Sequence, residues 1–233
     1  WPISEKGNPQ DDKALLKGLK TNEKNNPNLD LMKRFGSLIA ASDSIESRKV
    51  FSEYMDLDQV VSYAVVDRAI RNDDGVLHWY TDFSGSSNHN YYWYEEPIKK
   101  KIHLIPWDLD SAFENLTATN PITFIPDRWG EISNDCKPFP YGDWGIWQRS
   151  AGCDKIIKTW SSFKKEYKRL QNKLADSYLD EANELIDEWS IQIQEATKEA
   201  SQMHEDALSI RRWERNVSIL KAQIFRMKMN LSD

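Results

Sequence analysis

Between Asp73 and Asp110 the chain places acidic and amide side chains at the ends of strand-forming runs. Residues 88–113, N-H-N-Y-Y-W-Y-E-E-P-I-K-K-K-I-H-L-I-P-W-D-L-D-S-A-F, form two such runs around a polar turn. The second run stops abruptly at Pro106-Trp107-Asp108-Leu109-Asp110. Carboxylates delivered at a strand end beside a bulky aromatic suit a metal–phosphate site better than a surface loop. Phosphoryl transfer is catalysed mostly by positioning and charge neutralisation, so it needs few protein groups. One carboxylate binds a metal, one amide oxygen shares that metal, and one carboxylate orients the acceptor hydroxyl. Magnesium usually takes one or two carboxylates, with waters and phosphate oxygens completing its shell. Asp108, Asn90 and Asp74 supply that set within one segment. Antiparallel pairing would bring Asn90, at the start of the first strand, near Asp108, at the end of the second.

Each residue also has a plainer reading. Asp73-Asp74-Gly75 alone is a turn sequence whose Asp-Gly chemistry favours positive φ, and Asn90 alone could cap a strand entry. The ordered succession of turn, hairpin and P-W-D-L-D makes them a candidate site. His89 and His103 read as packing or hydrogen-bonding residues, because a hard metal prefers oxygen. Trp107 reads as a structural wedge. Asp67-Arg68 reads as an ion pair or helix-end interaction, ahead of a phosphate role for Arg68 or Arg71.

The elements that must position these residues are mainly helical. Leu31, Phe35, Leu38 and Ile39 fall on one helical stripe, and Val60, Val61, Ala64 and Val65 on a second. Asp56 and Gln59 have capping-box spacing at the start of the second helix. Residues 90–105 form a hairpin with Tyr91, Trp93 and Glu95 on one face and Tyr92 and Tyr94 on the other. Aromatics on both faces predict that both are covered. Residues 114–150, rich in Pro, Gly, Asn and Trp, read as an irregular loop. The helical period returns at Ile156, Trp160, Phe163, Tyr167, Leu170, Leu174 and Tyr178, and again at Ile210, Trp213, Val217, Leu220 and Ile224. These two stripes are expected to bury each other and the hairpin. Residues 180–207 between them read as a solvated helix face. The fold class is mainly α with one β-hairpin (α+β).

At 27.2 kDa the chain can bury one good core, so one domain over residues 1–233 is the default. A net charge of −6 argues against a nucleic-acid footprint, which needs a clustered basic face. No apolar run has transmembrane length and no signal peptide is visible. The chain begins at Trp1 without a methionine and reads as a fragment or processed form. Cys136 and Cys153 fit either a disulfide or two free thiols. The Pro-, Gly- and Trp-rich segment between them, with little other structure to hold it, favours the disulfide. The glycosylation patterns at Asn115, Asn216 and Asn230 are short enough to arise by chance.

Asn72-Asp73-Asp74-Gly75, Asn90-Tyr91-Tyr92-Trp93-Tyr94 and Ile105-Pro106-Trp107-Asp108-Leu109-Asp110 together resemble the signature of the CotH (spore-coat protein H) kinase family. Leu19-Lys20-Thr21-Asn22-Glu23 and the helix R-W-E-R-N-V-S-I-L-K around Trp213 are further echoes, so the resemblance covers nearly all 233 residues. Family members are atypical protein kinases with a distant protein-kinase-like fold. The resemblance implies an ATP- and Mg²⁺- (or Mn²⁺-) dependent kinase acting on Ser or Thr of a secreted, cell-surface or spore-coat protein. It implies Asp74 as the catalytic carboxylate, Asn90 and Asp108 as metal–nucleotide ligands, and Asp110 as a further metal contact. Asp74 and Asp108 lie 34 residues apart, farther than in the compact family pattern, and His78–Ser87 reads as an inserted loop. Asp74, directly before Gly75, matches better than Asp73.

No G-x-G-x-x-G and no P-loop occurs, and the family's nucleotide-contacting basic residues lie upstream of the matching region. The chain is therefore expected to be the C-terminal lobe, inactive alone for want of the half that grips the nucleotide. The alternative is a non-catalytic surface or adhesion protein retaining the fold. Retention of Asp74, Asn90 and Asp108 together favours the enzyme.

Overall fold

The architecture is that of a computed structural model, which describes residues 1–21, 27–72, 74–109, 111–113, 135–141 and 145–232. Among these residues lie four N-terminal helices, α1 (Asp12–Gly18), α2 (Asp30–Ala41), α3 (Ser44–Tyr54) and α4 (Leu57–Ala69). Six short strands follow: β1 (Trp79–Asp82), β2 (Gly85–Ser87), β3 (Tyr91–Glu96), β4 (Lys101–Pro106), β5 (Phe139–Tyr141) and β6 (Ile146–Arg149). Four helices close the chain: α5 (Lys155–Ser161), α6 (Lys164–Lys173), α7 (Leu179–Met203) and α8 (Ile210–Ser232).

Helix starts follow local chemistry. Asp43 and Glu46 form a reciprocal capping box on α3. Asp56 caps α4 by accepting from the Gln59 amide. The Gln59 side chain does not return to close a box there. It donates instead to the Leu104 carbonyl at 3.4 Å and so ties α4 to the hairpin. Lys101 at the start of β4 donates to the Ser52 and Glu53 carbonyls, satisfying acceptors left open at the end of α3.

The β3–β4 hairpin pairs Tyr91 with Pro106 through Glu96 with Lys101, as the alternation predicts. Ile102 and Leu104 are fully buried on its inner face, where Tyr91 and Trp93 also pack. The outer face departs from expectation: Tyr94 and Ile105 are exposed, and Tyr92 is only half buried. The inner face meets Phe35 and Ile39 of α2, Phe51 of α3, Val61 and Val65 of α4, and Ile156 and Trp160 of α5 in one core.

Two sequence expectations need correction. The hairpin is not the only β structure: a four-stranded antiparallel sheet with order β2-β1-β6-β5 stands beside it. Its strands come from His78–Ser87, expected to be an inserted loop, and from the segment 114–150, expected to be irregular. The two C-terminal stripes also meet only in part, where Leu174 of the first packs against the cluster that holds Leu220 and Ile224 of the second. Ile156, Trp160, Phe163 and Leu170 enter the main core, whereas Ile224, Met227 and Leu231 of α8 pack with Ala175 and Leu179 in a second cluster. Leu38 and Tyr178 remain exposed. Cys136 and Cys153 form a disulfide. Asn22 and Glu23 of the N-terminal echo lie outside the described residues.

Candidate active site

The last turn of α4 carries Asp67 and Arg68, both buried and joined at 2.6 Å. A buried charge must be paired and hydrogen-bonded to be tolerated, and this pair is. The Arg68 guanidinium also donates to the Asn72 carbonyl at 3.0 Å and lies 3.0 Å from His78 Nε2. The second Asp67 oxygen accepts from the Asn72 amide at 2.8 Å. Arg68 is thus committed to the interior rather than to a phosphate. Because arginine can only donate, it holds His78 Nε2 as an acceptor and the imidazole neutral. Burial, reinforced by the Arg68 charge, pushes His78 down from 6.5 to about 3. The Gln148 amide of β6 lies 3.3 Å from its Nδ1.

The chain leaves α4 through Arg71 in the left-handed region (φ 49°), with the Asn72 amide returning to the Asp67 carbonyl. Asn72 Oδ1 then accepts from the Asp74 amide at 3.3 Å. Gly75 follows, but not for the positive φ that its sequence favours. A Cβ at Gly75 would fall 2.4 Å from Asn72 Nδ2 and 2.8 Å from Asp67 Oδ1. The glycine lets the loop lie directly on the buried network.

Asn88 secures this loop to the hairpin, donating to the Val76 carbonyl at 2.7 Å and accepting from the Tyr91 hydroxyl at 2.9 Å. His89 and Asn90 then face Asp74. His89 Nε2 stands 2.5 Å from Asp74 Oδ1, and Asn90 Nδ2 donates to Asp74 Oδ2 at 2.9 Å and to its carbonyl at 2.7 Å. Asn90 adopts φ 60°, and its own carbonyl accepts from the Trp107 amide at 3.2 Å. Trp107 packs edge-on against Tyr92, and Asp108 follows, exposed and at φ 52°. Left-handed backbone at non-glycine residues is costly and concentrates at functional sites.

Of the residues expected from sequence, Asp74 and Asn90 are in direct contact, and Asp108 directly follows the residue bonded to Asn90. Asp73 and Asp110 lie outside the described residues. Among the described residues no three His, Cys, Asp or Glu side chains group at metal-binding geometry. The donor chemistry nonetheless fits a hard cation. Both N–H groups of Asn90 point at acceptors on Asp74, which fixes the orientation of its amide and leaves its oxygen as a ligand. Sequence reasoning read Asp67-Arg68 as an ion pair and His89 as a packing or hydrogen-bonding residue, but missed Asp74 as the partner of His89 and the extension of the ion pair through Asn72, His78 and Gln148. The adjacency of His89 to Asn90 was the one available signal for the first; the second had none, because Gln148 arrives from a distant strand.

A family model described as CotH kinase protein matches residues 3–228. Among curated proteins, none matches the chain.

Proposed function

The chain belongs to the CotH kinase family, and on that premise we propose that it carries the metal- and acceptor-side portion of an ATP- and Mg²⁺-dependent protein kinase. The acceptor is a Ser or Thr hydroxyl on a secreted or spore-surface protein. The observation that carries the reading is the grip of Asn90 on Asp74, which joins the proposed metal ligand to the proposed catalytic carboxylate.

Asp74 accepts the proton of the acceptor hydroxyl as its oxygen bonds to the γ-phosphorus and the bond to the β–γ bridging oxygen breaks. Its carboxylate is only partly exposed, which keeps it reachable while its neighbours hold it. Asp108 and Asn90, with Asp110 as a further contact, would hold the cation, Mg²⁺ or Mn²⁺. When bound, that cation neutralises charge on the phosphates. The nucleotide-gripping half lies outside residues 1–233 in this reading. The Cys136–Cys153 disulfide supports an extracellular, cell-surface or spore-coat location, because disulfides persist in oxidising surroundings.

The test is incubation of full-length protein with labelled ATP and Mg²⁺ or Mn²⁺. Transfer should occur in the wild type and vanish in Asp108→Ala. Asp74→Asn should lose at least about a hundred-fold in turnover, at the level typical of a lost general base, with Mg-ATP affinity nearly unchanged. Wild-type turnover in Asp108→Ala would refute the reading. Absence of transfer by the wild type would favour a non-catalytic surface protein.

A further inference from the structure

We propose that His89, braced by Tyr80, is a positioning residue for the Asp74 carboxylate; this rests on the reading of Asp74 as the group that takes the acceptor proton. Asn90 alone grips one carboxylate oxygen, Oδ2, and a carboxylate held at one oxygen can still swing about that contact. His89 Nε2 stands 2.5 Å from the other oxygen and removes that freedom. A carboxylate only accepts, so the ring nitrogen is the donor and carries the proton.

His89 is itself about half exposed, so burial does not hold it. Tyr80 does: the two rings stack with centroids 5.0 Å apart and planes 19° from parallel. Tyr80 lies on β1, an interior strand of the four-stranded sheet, opposite Ser87 of β2 on one side and Gln148 of β6 on the other. Gln148 is the residue that reaches His78, and through Arg68, Asp67 and Asn72 the line returns to the backbone amide of Asp74. The side chain and the main chain of Asp74 are therefore referred to the same cross-strand pair, Tyr80–Gln148. An incidental surface ion pair would have no such base. The four-stranded sheet is a mount for the carboxylate, and His89 is the part of it that touches the carboxylate.

The role predicts a specific kinetic split, because the proposed cation ligands are Asn90 and Asp108 rather than His89. In full-length protein with labelled ATP and Mg²⁺, His89→Phe keeps a ring for Tyr80 but removes the donor. It should lose up to about a hundred-fold in turnover, the scale of a small misplacement of a reacting group, with half-saturating Mg-ATP unchanged. His89→Gln, whose amide nitrogen can reach the same oxygen, should recover most of the rate. Full turnover in His89→Phe beside a dead Asp74→Asn would overturn the positioning role alone. Equal losses in His89→Phe and His89→Gln would overturn it too, since the donor would not be what matters. Wild-type turnover in Asp74→Asn would overturn the reading of Asp74, and this role with it. Imidazole ¹⁵N spectra give a readout independent of activity: His89 should be protonated at Nε2, and its signals should move in Asp74→Asn while those of His103 and His204 do not. Unmoved His89 signals would overturn the contact whatever the rates.

Discussion

Two consecutive residues, His89 and Asn90, reach opposite oxygens of one carboxylate, and that arrangement depends on how closely the Asp74 loop lies against α4. Gly75 sets the closeness. A methyl group there would press on Asn72 Nδ2 and Asp67 Oδ1, both held in a buried network that cannot move without breaking charge-assisted hydrogen bonds. Gly75→Ala should therefore destabilise the protein by roughly 1–3 kcal/mol, the cost of overpacking a filled site. It should also lower turnover more than Mg-ATP affinity, because it lifts Asp74 away from its partners. Urea unfolding and turnover on the same preparation check both, and a variant with wild-type stability would show that the loop has slack. At this scale the sequence was partly legible. Asp74, Asn90 and Asp108 could be picked out by type and order, but the need for Gly75 was misassigned to backbone conformation.

The hairpin and the four-stranded sheet meet α4 through different chemistry. The hairpin contributes apolar burial at Ile102 and Leu104, whereas the sheet contributes a polar line that ends on His78. That line makes stability depend on pH. His78 titrates at about 3 when folded and near its ordinary 6.5 when unfolded, so the unfolded chain takes up a proton that the folded chain refuses. A depressed folded value means that its contribution is complete above about pH 6.5 and is lost as the pH falls from there towards 3. The loss has a slope of up to about 1.4 kcal/mol per pH unit. Comparing urea midpoints of wild type and His78→Gln between about pH 7 and about pH 4 isolates this term. The wild type should fall more steeply, and parallel curves would mean that His78 is not held neutral. The sequence carried the helices and the hairpin in their periodicity. It carried no comparable signal for β1, β2, β5 and β6, which are three or four residues long and include Gly85 and Pro140. The sheet is closed by pairing two distant short hairpins, β1–β2 and β5–β6, through Trp79 with Arg149 and Tyr80 with Gln148.

At the scale of the molecule, the buried apolar side chains of the described residues divide into a main core around α2–α6 with the hairpin and a second cluster between α8 and the start of α7. Lys221–Asp187 and Lys228–Asp180 join α7 to α8 at the exposed surface, where such pairs contribute little. The Cys136–Cys153 disulfide acts elsewhere, tying the approach to β5 to the 3-10 turn Ala151–Cys153 that leads into α5. Bridging 17 residues, it should add about 3 kcal/mol by restricting the unfolded chain. Cys136→Ser with Cys153→Ser should therefore lower Tm by roughly 10 °C. Calorimetry of the oxidised wild type and the double variant is the check, and an unchanged Tm would mean that the β5–β6 segment is held without the bridge.

Sequence alone determined the family signature, the helical stripes, the hairpin register and the residue types able to bind a hard cation and accept a proton. All of these are local: they follow from side-chain period, turn chemistry and order along the chain. The tertiary structure decided which of these residues touch. It brought Asp74 to His89 and Asn90, buried Arg68 away from phosphate, and ran Gln148 back to His78 across 70 positions. Such contacts depend on how packed elements meet, and a hydrogen bond between side chains so far apart in the chain leaves no periodicity or motif from which to read it.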